Sequence, residues 1–386
     1  MDFRVYILAI STFIVGLVEL IIGGILPNLA DDLGVSISKA GQLITIFAIV
    51  FAISGPVLLS FTAKIERKKL YLYSLIVFFL GNVLTFFSPN YTFLVIARIV
   101  SAMSAALLIV LSLTITARIV ERGKRVKALG IIYMGMSSAL VLGIPIGIIF
   151  TKLFNWRAIF LVIGILTLII FGVIQRYIEP LPARQSNSLI EQVRALKSRK
   201  LANAHLTTVL IMAGHYTLYA YFAPFLKTTM QFNEYWMSIT YFVFGVAAVS
   251  GGAFGGFLGS KFGSVKAMYT FIGLFIVTLL LVPVTTFSLP LFFLVVISWG
   301  MMSWGHSPPT QDYLIESDPE HSDIHQSINN SAIQVGIAIG SAIGGAILNY
   351  TDSMTSMAII GAIIIGFAFI SFYISASSRK TSDYVQ

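Results

Sequence analysis

The sequence predicts an all-α integral membrane protein, with 12 transmembrane helices in two six-helix halves. Of its 386 residues, 57% are apolar and only 11% charged, against about 45–50% and about 25% in ordinary soluble domains. A soluble core of this length would lack the polar residues to cover its surface. At ~20 apolar residues per crossing, roughly 220 such residues allow about eleven to twelve spans and leave almost nothing for soluble domains. The third observation is internal: one fixed offset, 197, superposes the second half of the chain on the first.

Apolar runs bounded by charges or turn residues place the spans in order. Span 1 covers 5–27, from Val5 to Pro27. It is longer than the apolar region of a signal peptide and lacks a small-residue cleavage site, so it reads as an uncleaved first crossing. Spans 2 (38–61) and 3 (70–88) flank a short basic segment, and span 4 (92–116) carries Arg98. Span 5 (128–151) holds Gly143-Ile144-Pro145-Ile146-Gly147, and span 6 (158–176) follows Trp156-Arg157. The longest polar stretch, Glu179 to His205, contains Pro180, Pro182 and the run RALKSRK near the middle of the chain. The expected division is therefore a first half over 1–178, a cytoplasmic linker over 179–203, a second half over 204–375 and a tail over 376–386. Spans 7 (204–226), 8 (238–259) and 9 (267–288) open the second half. Span 10 (290–312) contains Pro308-Pro309, which should break or bend it. Spans 11 (327–349) and 12 (354–375) complete the set.

An even number of spans puts both termini on one side. The N-terminal stub, the connections after spans 2, 4, 6, 8 and 10, and the tail hold 20 of the 25 Lys and Arg. The opposite connections hold Lys39, Lys152, Arg157 and Lys227, and Arg98 lies within a span. Both termini are therefore expected to be cytoplasmic. Orientation also accounts for the net charge of +9, so no nucleic-acid partner is expected. The acidic loop Glu316 to His325 carries no Lys or Arg, but acidic residues count little in this rule.

Zero cysteines exclude disulfides, thiolate metal sites and cysteine nucleophiles. No Walker A loop, HExxH, GxSxG or CxxC occurs, and no metal-ligand spacing is visible. The expectations are accordingly no enzyme activity, no catalytic residue, no metal and no cofactor. A channel would need pore-lining repeats or a filter loop, and neither appears.

The offset of 197 pairs Pro27 with Pro224, Phe47 with Phe244, Gly55 with Gly252, Lys64 with Lys261, and Gly143 and Gly147 with Gly340 and Gly344. Parallel halves with a site near the bilayer midplane between them are the architecture of the major facilitator superfamily. Ala63-Lys64-Ile65-Glu66-Arg67-Lys68-Lys69 resembles that family's loop motif G-x-x-x-D-R-x-G-R-R/K, departing at Ala63 and Glu66. The second copy, Gly256 to Gly263, keeps both glycines but has Ser260 at the Asp position, so a gating network built on that Asp is not carried over. Arg98 occupies the place of the family's span-4 arginine. Gly143 to Gly147 looks like a shifted form of the antiporter signature in span 5, and Trp156-Arg157-Ala158-Ile159-Phe160 matches the W-R-x-x-F run of drug:proton antiporters.

The runs GLVELIIGGILP (16–27), TAKIERKKLYL (62–72), AGHYTLYAYFAPFL (213–226) and QVGIAIGSAIGG (334–345) look like the bacterial purine efflux pumps of that family. The resemblance implies proton-coupled export of purine bases and ribonucleosides by a monomer in the bacterial cell membrane, with protons as coupling ion. A broad drug or sugar exporter of the same superfamily is the alternative. A membrane ligand sensor that transports nothing is an alternative of another class.

Glu19 is the only acidic residue deep inside a span and Arg98 the only arginine. Either costs at least ~2.5–3.5 kcal/mol in hydrocarbon and so needs a partner or a wet cavity. At 1.5 Å per residue, Glu19 lies ~12 Å and Arg98 ~9 Å below the outer ends of spans 1 and 4, nearly the same level. A pair whose proton occupancy switches with opening is the functional reading, and a static packing pair is the alternative. In span 7, His215 and Tyr219 share a face, and Tyr216 is the counterpart of Glu19 under the offset. Histidine can titrate and tyrosine can stack on a flat heterocycle, which makes these substrate-binding candidates. Trp299 in span 10 lies too deep for an interfacial belt and is placed to stack on substrate. In span 11, Gln326, Asn330 and Gln334 form an amide stripe suited to a purine's mixed edge. Gly336, Gly340 and Gly344 form a separate ridge for close helix packing.

Overall fold

The computed structural model describes residues 2–121, 124–183, 197–351 and 354–378. The described chain is helical throughout: α1 (Phe3–Leu33), α2 (Ile37–Phe61), α3 (Arg67–Phe86), α4 (Tyr91–Ile119), α5 (Arg125–Ser138), α6 (Ile144–Leu153), α7 (Trp156–Tyr177), α8 (Arg199–Tyr219), α9 (Phe222–Thr228), α10 (Glu234–Phe262), α11 (Ser264–Val284), α12 (Leu289–Gly305), α13 (Ser307–Ser317), α14 (Ser322–Thr351) and α15 (Met354–Ser377). They make 12 crossings long and apolar enough to span a bilayer, among the described residues. The fifth crossing combines α5 and α6, the seventh α8 and α9, and the tenth α12 and α13.

Local sequence explains where these helices start and stop. Ser36, Asn90 and Asn155 each accept a backbone N–H of the first turn with their side chains, as N-caps do. α1 runs six residues past Pro27, the expected end, because a proline removes one donor without obliging the helix to stop. It ends at Gly34, whose φ of 62° is the left-handed conformation that glycine adopts freely. Pro224 has the opposite effect: the break between α8 and α9 falls at Ala220 and Tyr221, where its missing N–H would have bonded. The fifth crossing widens into a π-helical segment, Ala139–Gly143, just before Pro145. The tenth breaks at His306, so that Pro308 and Pro309 fall in the first turn of α13, where their lost donors cost nothing.

The chain divides into two compact units, Met1–Ser186 with Phe232–Phe242, and Asn187–Gln231 with Val243–Gln386. In the first, successive connections alternate between two ends. At one end Arg4 pairs with Glu179, Glu66 accepts the backbone N–H of Leu181, and Arg118 donates to the Pro182 carbonyl. The described start of the expected linker thus lies on the ends of α1, α3 and α4, while 184–196 and 379–386 fall outside the described residues. At the other end Asp32 receives both Trp156 Nε1, at 3.1 Å, and Arg157. Arg157 also donates to the Ser88 carbonyl, so the W-R pair ties the ends of α1, α3 and α7 together.

In the second unit α8 packs on both α14 and α15. The glycine ridge of α14 lies on the backbone of α8. A Cβ on Gly336 would stand 2.5 Å from the Val209 carbonyl oxygen, and those on Gly340 and Gly344 would run into the Ala213 and Thr217 carbonyls. Only glycine permits this approach, the small-residue packing that lipid-embedded helices rely on.

Candidate functional site

Each unit builds its own cluster of polar and aromatic side chains. In the first, α4 buries Arg98 completely. Its Nη1 donates to the Val18 carbonyl at 2.8 Å, and its guanidinium carbon lies 4.1 Å from the centre of the Phe47 ring on α2. Glu19, the next residue on α1, is half-buried and acts on the guanidinium through its charge. Arg98 thus rests on an aromatic face, a main-chain acceptor and a nearby carboxylate, three ways of compensating a buried cation.

The register of these helices is set on their other flank. Tyr71 on α3, fully buried, donates to Ser11 Oγ of α1 at 2.7 Å and shares a 2.8 Å hydrogen bond with Ser112 Oγ of α4.

In the second unit the cluster is aromatic and centres on His215 of α8, which is 3% exposed. Trp299 Nε1 of α12 donates to His215 Nδ1 at 3.1 Å. An indole N–H can only donate, so Nδ1 is an acceptor and the neutral ring carries its proton on Nε2. Tyr219 stacks on His215 at 4.9 Å and 29°, and Phe244 of α10 lies parallel to it at 6.2 Å and 2°. Tyr216 meets the same ring edge-on at 5.1 Å, and Phe222 meets Trp299 edge-on at 4.9 Å. Trp299 is fully buried and Tyr216 half-buried. Trp299 therefore orients His215, while Tyr216 keeps part of its surface outside the packed rings.

Of the residues singled out in the sequence, Glu19 and Arg98 come together in one unit, and His215, Tyr216, Tyr219 and Trp299 in the other. Asn330, half-buried, and Gln334, buried, stand one turn apart on α14. The neighbouring Asn329 binds α8, accepting from Thr208 Oγ1 at 2.8 Å. Sequence reasoning missed Phe47 and Phe244 as site residues, although the offset had paired them: each is the ring against the buried Arg98 or His215 of its own unit. It also missed the part played by the Val18 carbonyl, for which no side-chain signal exists. No group of three or more His, Asp or Glu suited to a metal ion occurs among the described residues.

Comparison with known proteins agrees with this architecture. The chain is 36% identical over 321 residues to the uncharacterized MFS-type transporter YbcL of Bacillus subtilis (strain 168), covering 83% of this chain and 82% of that one. It is 30% identical over 248 residues to a probable sugar efflux transporter of Helicobacter pylori (strain G27), covering 64% and 63% of the two chains. In fold it resembles the crystal structure of a bacterial homolog to the human lysosomal transporter Spinster, in its inward-facing and occupied conformation. That match has a TM-score of 0.77 at 14% identity, over 98% of this chain and 97% of that one. The Major Facilitator Superfamily model matches residues 8–323. With that match over most of its length, on a fold of 12 crossings, the chain belongs to the major facilitator superfamily of membrane transporters.

Proposed function

We propose that this transporter exports purine bases and ribonucleosides from the bacterial cytoplasm in exchange for protons, with both termini cytoplasmic. The observation that carries the reading is the aromatic cluster around His215. A ring that accepts from Trp299 at Nδ1 has an N–H left to donate, and Tyr216 offers a partly open ring beside it. Flat heterocycles with ring-nitrogen acceptors match a π face next to one donor. Asn330 and Gln334 supply the amide edges on this reading, and Tyr219 lends a second ring.

Glu19 is the proton carrier in this scheme. A carboxyl beside a buried guanidinium takes up or gives up a proton as access to water changes, since burial and the cation act on it in opposite directions. Arg98 holds the empty site by compensating the carboxylate. No cofactor beyond the coupling proton enters, and the monomer is the working unit.

The second reading is a broader sugar or drug exporter, favoured by the 30% identity to a probable sugar efflux transporter. Purified protein in liposomes separates the two. Exchange of labelled hypoxanthine, inhibited by excess inosine but not by excess lactose or a cationic dye, supports purine export. Equal inhibition by all three supports the broad exporter, and the absence of hypoxanthine exchange rejects purine export.

A further inference from the structure

A second chain of titratable groups lies apart from both clusters, at the end of the second unit where α8 and α14 begin. His205 Nε2 and His325 Nδ1 are 3.2 Å apart, with the rings stacked at 5.5 Å and 21°. His325 Nε2 is 3.1 Å from Asp318 Oδ2, and His321 Nδ1 is 3.1 Å from Asp318 Oδ1. His205 is 4% exposed, His325 is fully buried, and the Asp318 and His321 side chains are 27% and 55% exposed. Exposure thus falls from His321 and Asp318 to two buried rings along one hydrogen-bonded line. His205 Nδ1, at the inner end, is buried with no hydrogen-bond partner among the described residues.

Donor and acceptor logic gives the line a direction. A carboxylate only accepts, so His325 presents N–H at Nε2 to Asp318 and a bare Nδ1 to its neighbour. His205 must then present N–H at Nε2, which leaves its Nδ1 bare. A proton bound at His205 Nδ1 releases the Nε2 proton to His325 Nδ1, and His325 passes its own Nε2 proton to Asp318. One proton enters, one leaves from the carboxyl to water, and both rings end as neutral tautomers, reset by the return shift.

We propose that His205, His325 and Asp318 form a proton exit path from the membrane interior to the side that carries the termini. The proposal rests on the proton-antiport reading above, under which that side is the cytoplasm and the incoming proton arrives through water of the transport path. The other titratable groups near this end point elsewhere: Lys200 Nζ lies over the Tyr313 ring at 5.1 Å, and Tyr313 is hydrogen-bonded to Ser375. Arg199, Asp312, Glu316 and Glu320 are exposed. Burial opposes the charge of Asp318, yet hydrogen bonds from His325 and His321 hold its carboxyl below the usual range, which keeps it an acceptor.

The test compares wild type with H205Q, H325Q and D318N, full-length in liposomes. Labelled hypoxanthine counterflow needs no net proton movement, whereas accumulation driven by a pH gradient does. The exit path predicts that gradient-driven transport falls at least about tenfold in each variant, with counterflow within about twofold of wild type. Unchanged driven transport in H325Q and D318N overturns it. Wild-type protein that shows counterflow but no accumulation in response to the gradient overturns the antiport reading and the path together. A substrate-free measurement, nitrogen-15 NMR of labelled histidines in nanodiscs, covers a variant that fails to fold. The path requires His205 and His325 to be Nε2-protonated and D318N to shift the titration of both, and two rings indifferent to D318N contradict it.

Discussion

Trp299 Nε1 donates to His215 Nδ1 across 3.1 Å, with both side chains buried. That one hydrogen bond fixes the tautomer of the histidine and so decides which nitrogen is left to face a ligand. Replacing Trp299 by Phe keeps a ring but leaves Nδ1 buried without its donor, a defect of about 1–3 kcal/mol. The apparent KM for hypoxanthine in W299F is expected to rise about tenfold or more, measured as counterflow, whereas an unchanged KM would show that His215 does not meet the substrate.

Arg98 makes its contacts through the shape of a guanidinium: a flat face on Phe47 and an N–H on the Val18 carbonyl. An ammonium keeps the charge but neither the stacking nor the fork. R98K is therefore expected to lose at least about tenfold in driven transport. R98K activity equal to wild type in the same vesicles would reduce Arg98 to a simple point charge.

Gly340 and Gly252 give a paired test of helix packing. A methyl group on Gly340 meets the Ala213 carbonyl, whereas one on Gly252 meets nothing within 4 Å. G340A is expected to destabilise the protein by about 1–3 kcal/mol. G252A should be neutral or stabilising by up to about 1 kcal/mol. Thermal unfolding in detergent ranks the two, and equal midpoints would remove the ridge as a source of stability.

The fold was legible because composition and apolar run length answer directly to the bilayer, and all 12 spans follow from them. The break at Pro308 and Pro309 was legible for a similarly local reason. The overrun of α1 past Pro27 was not, because whether a proline ends a helix depends on the turns beyond it. At the candidate site, the rarity of charge inside spans singled out Glu19 and Arg98, and helical spacing paired His215 with Tyr219. Contacts between distant segments left no trace: His205 and His325 are 120 residues apart, and Asn329 rather than Asn330 meets Thr208 because the rotation of α14 is set by its glycine ridge. The repeat offset did carry hidden site information, since it paired Phe47 with Phe244 before either had a role.

Asp318 gives a pH dependence with a defined sign. Burial works against its charge, hydrogen bonds from His325 and His321 outweigh it, and the folded carboxyl lies below its usual 3.8. A group depressed in the folded state stabilises fully above its unfolded pKa, and that contribution is lost as pH falls through the folded value. Wild type should therefore lose stability relative to D318N as pH drops below about 4. Parallel unfolding midpoints for the two proteins from pH 6 to pH 3 would show that the carboxylate contributes nothing there.

The central claim is that Glu19, beside Arg98, carries the coupling proton. Inverted vesicles with an imposed pH gradient, containing either wild type or E19Q, test it by accumulation of labelled hypoxanthine. The expected result is gradient-driven accumulation in wild type and none in E19Q, with hypoxanthine counterflow retained in the variant. Accumulation in E19Q that still follows the gradient as in wild type would contradict the account.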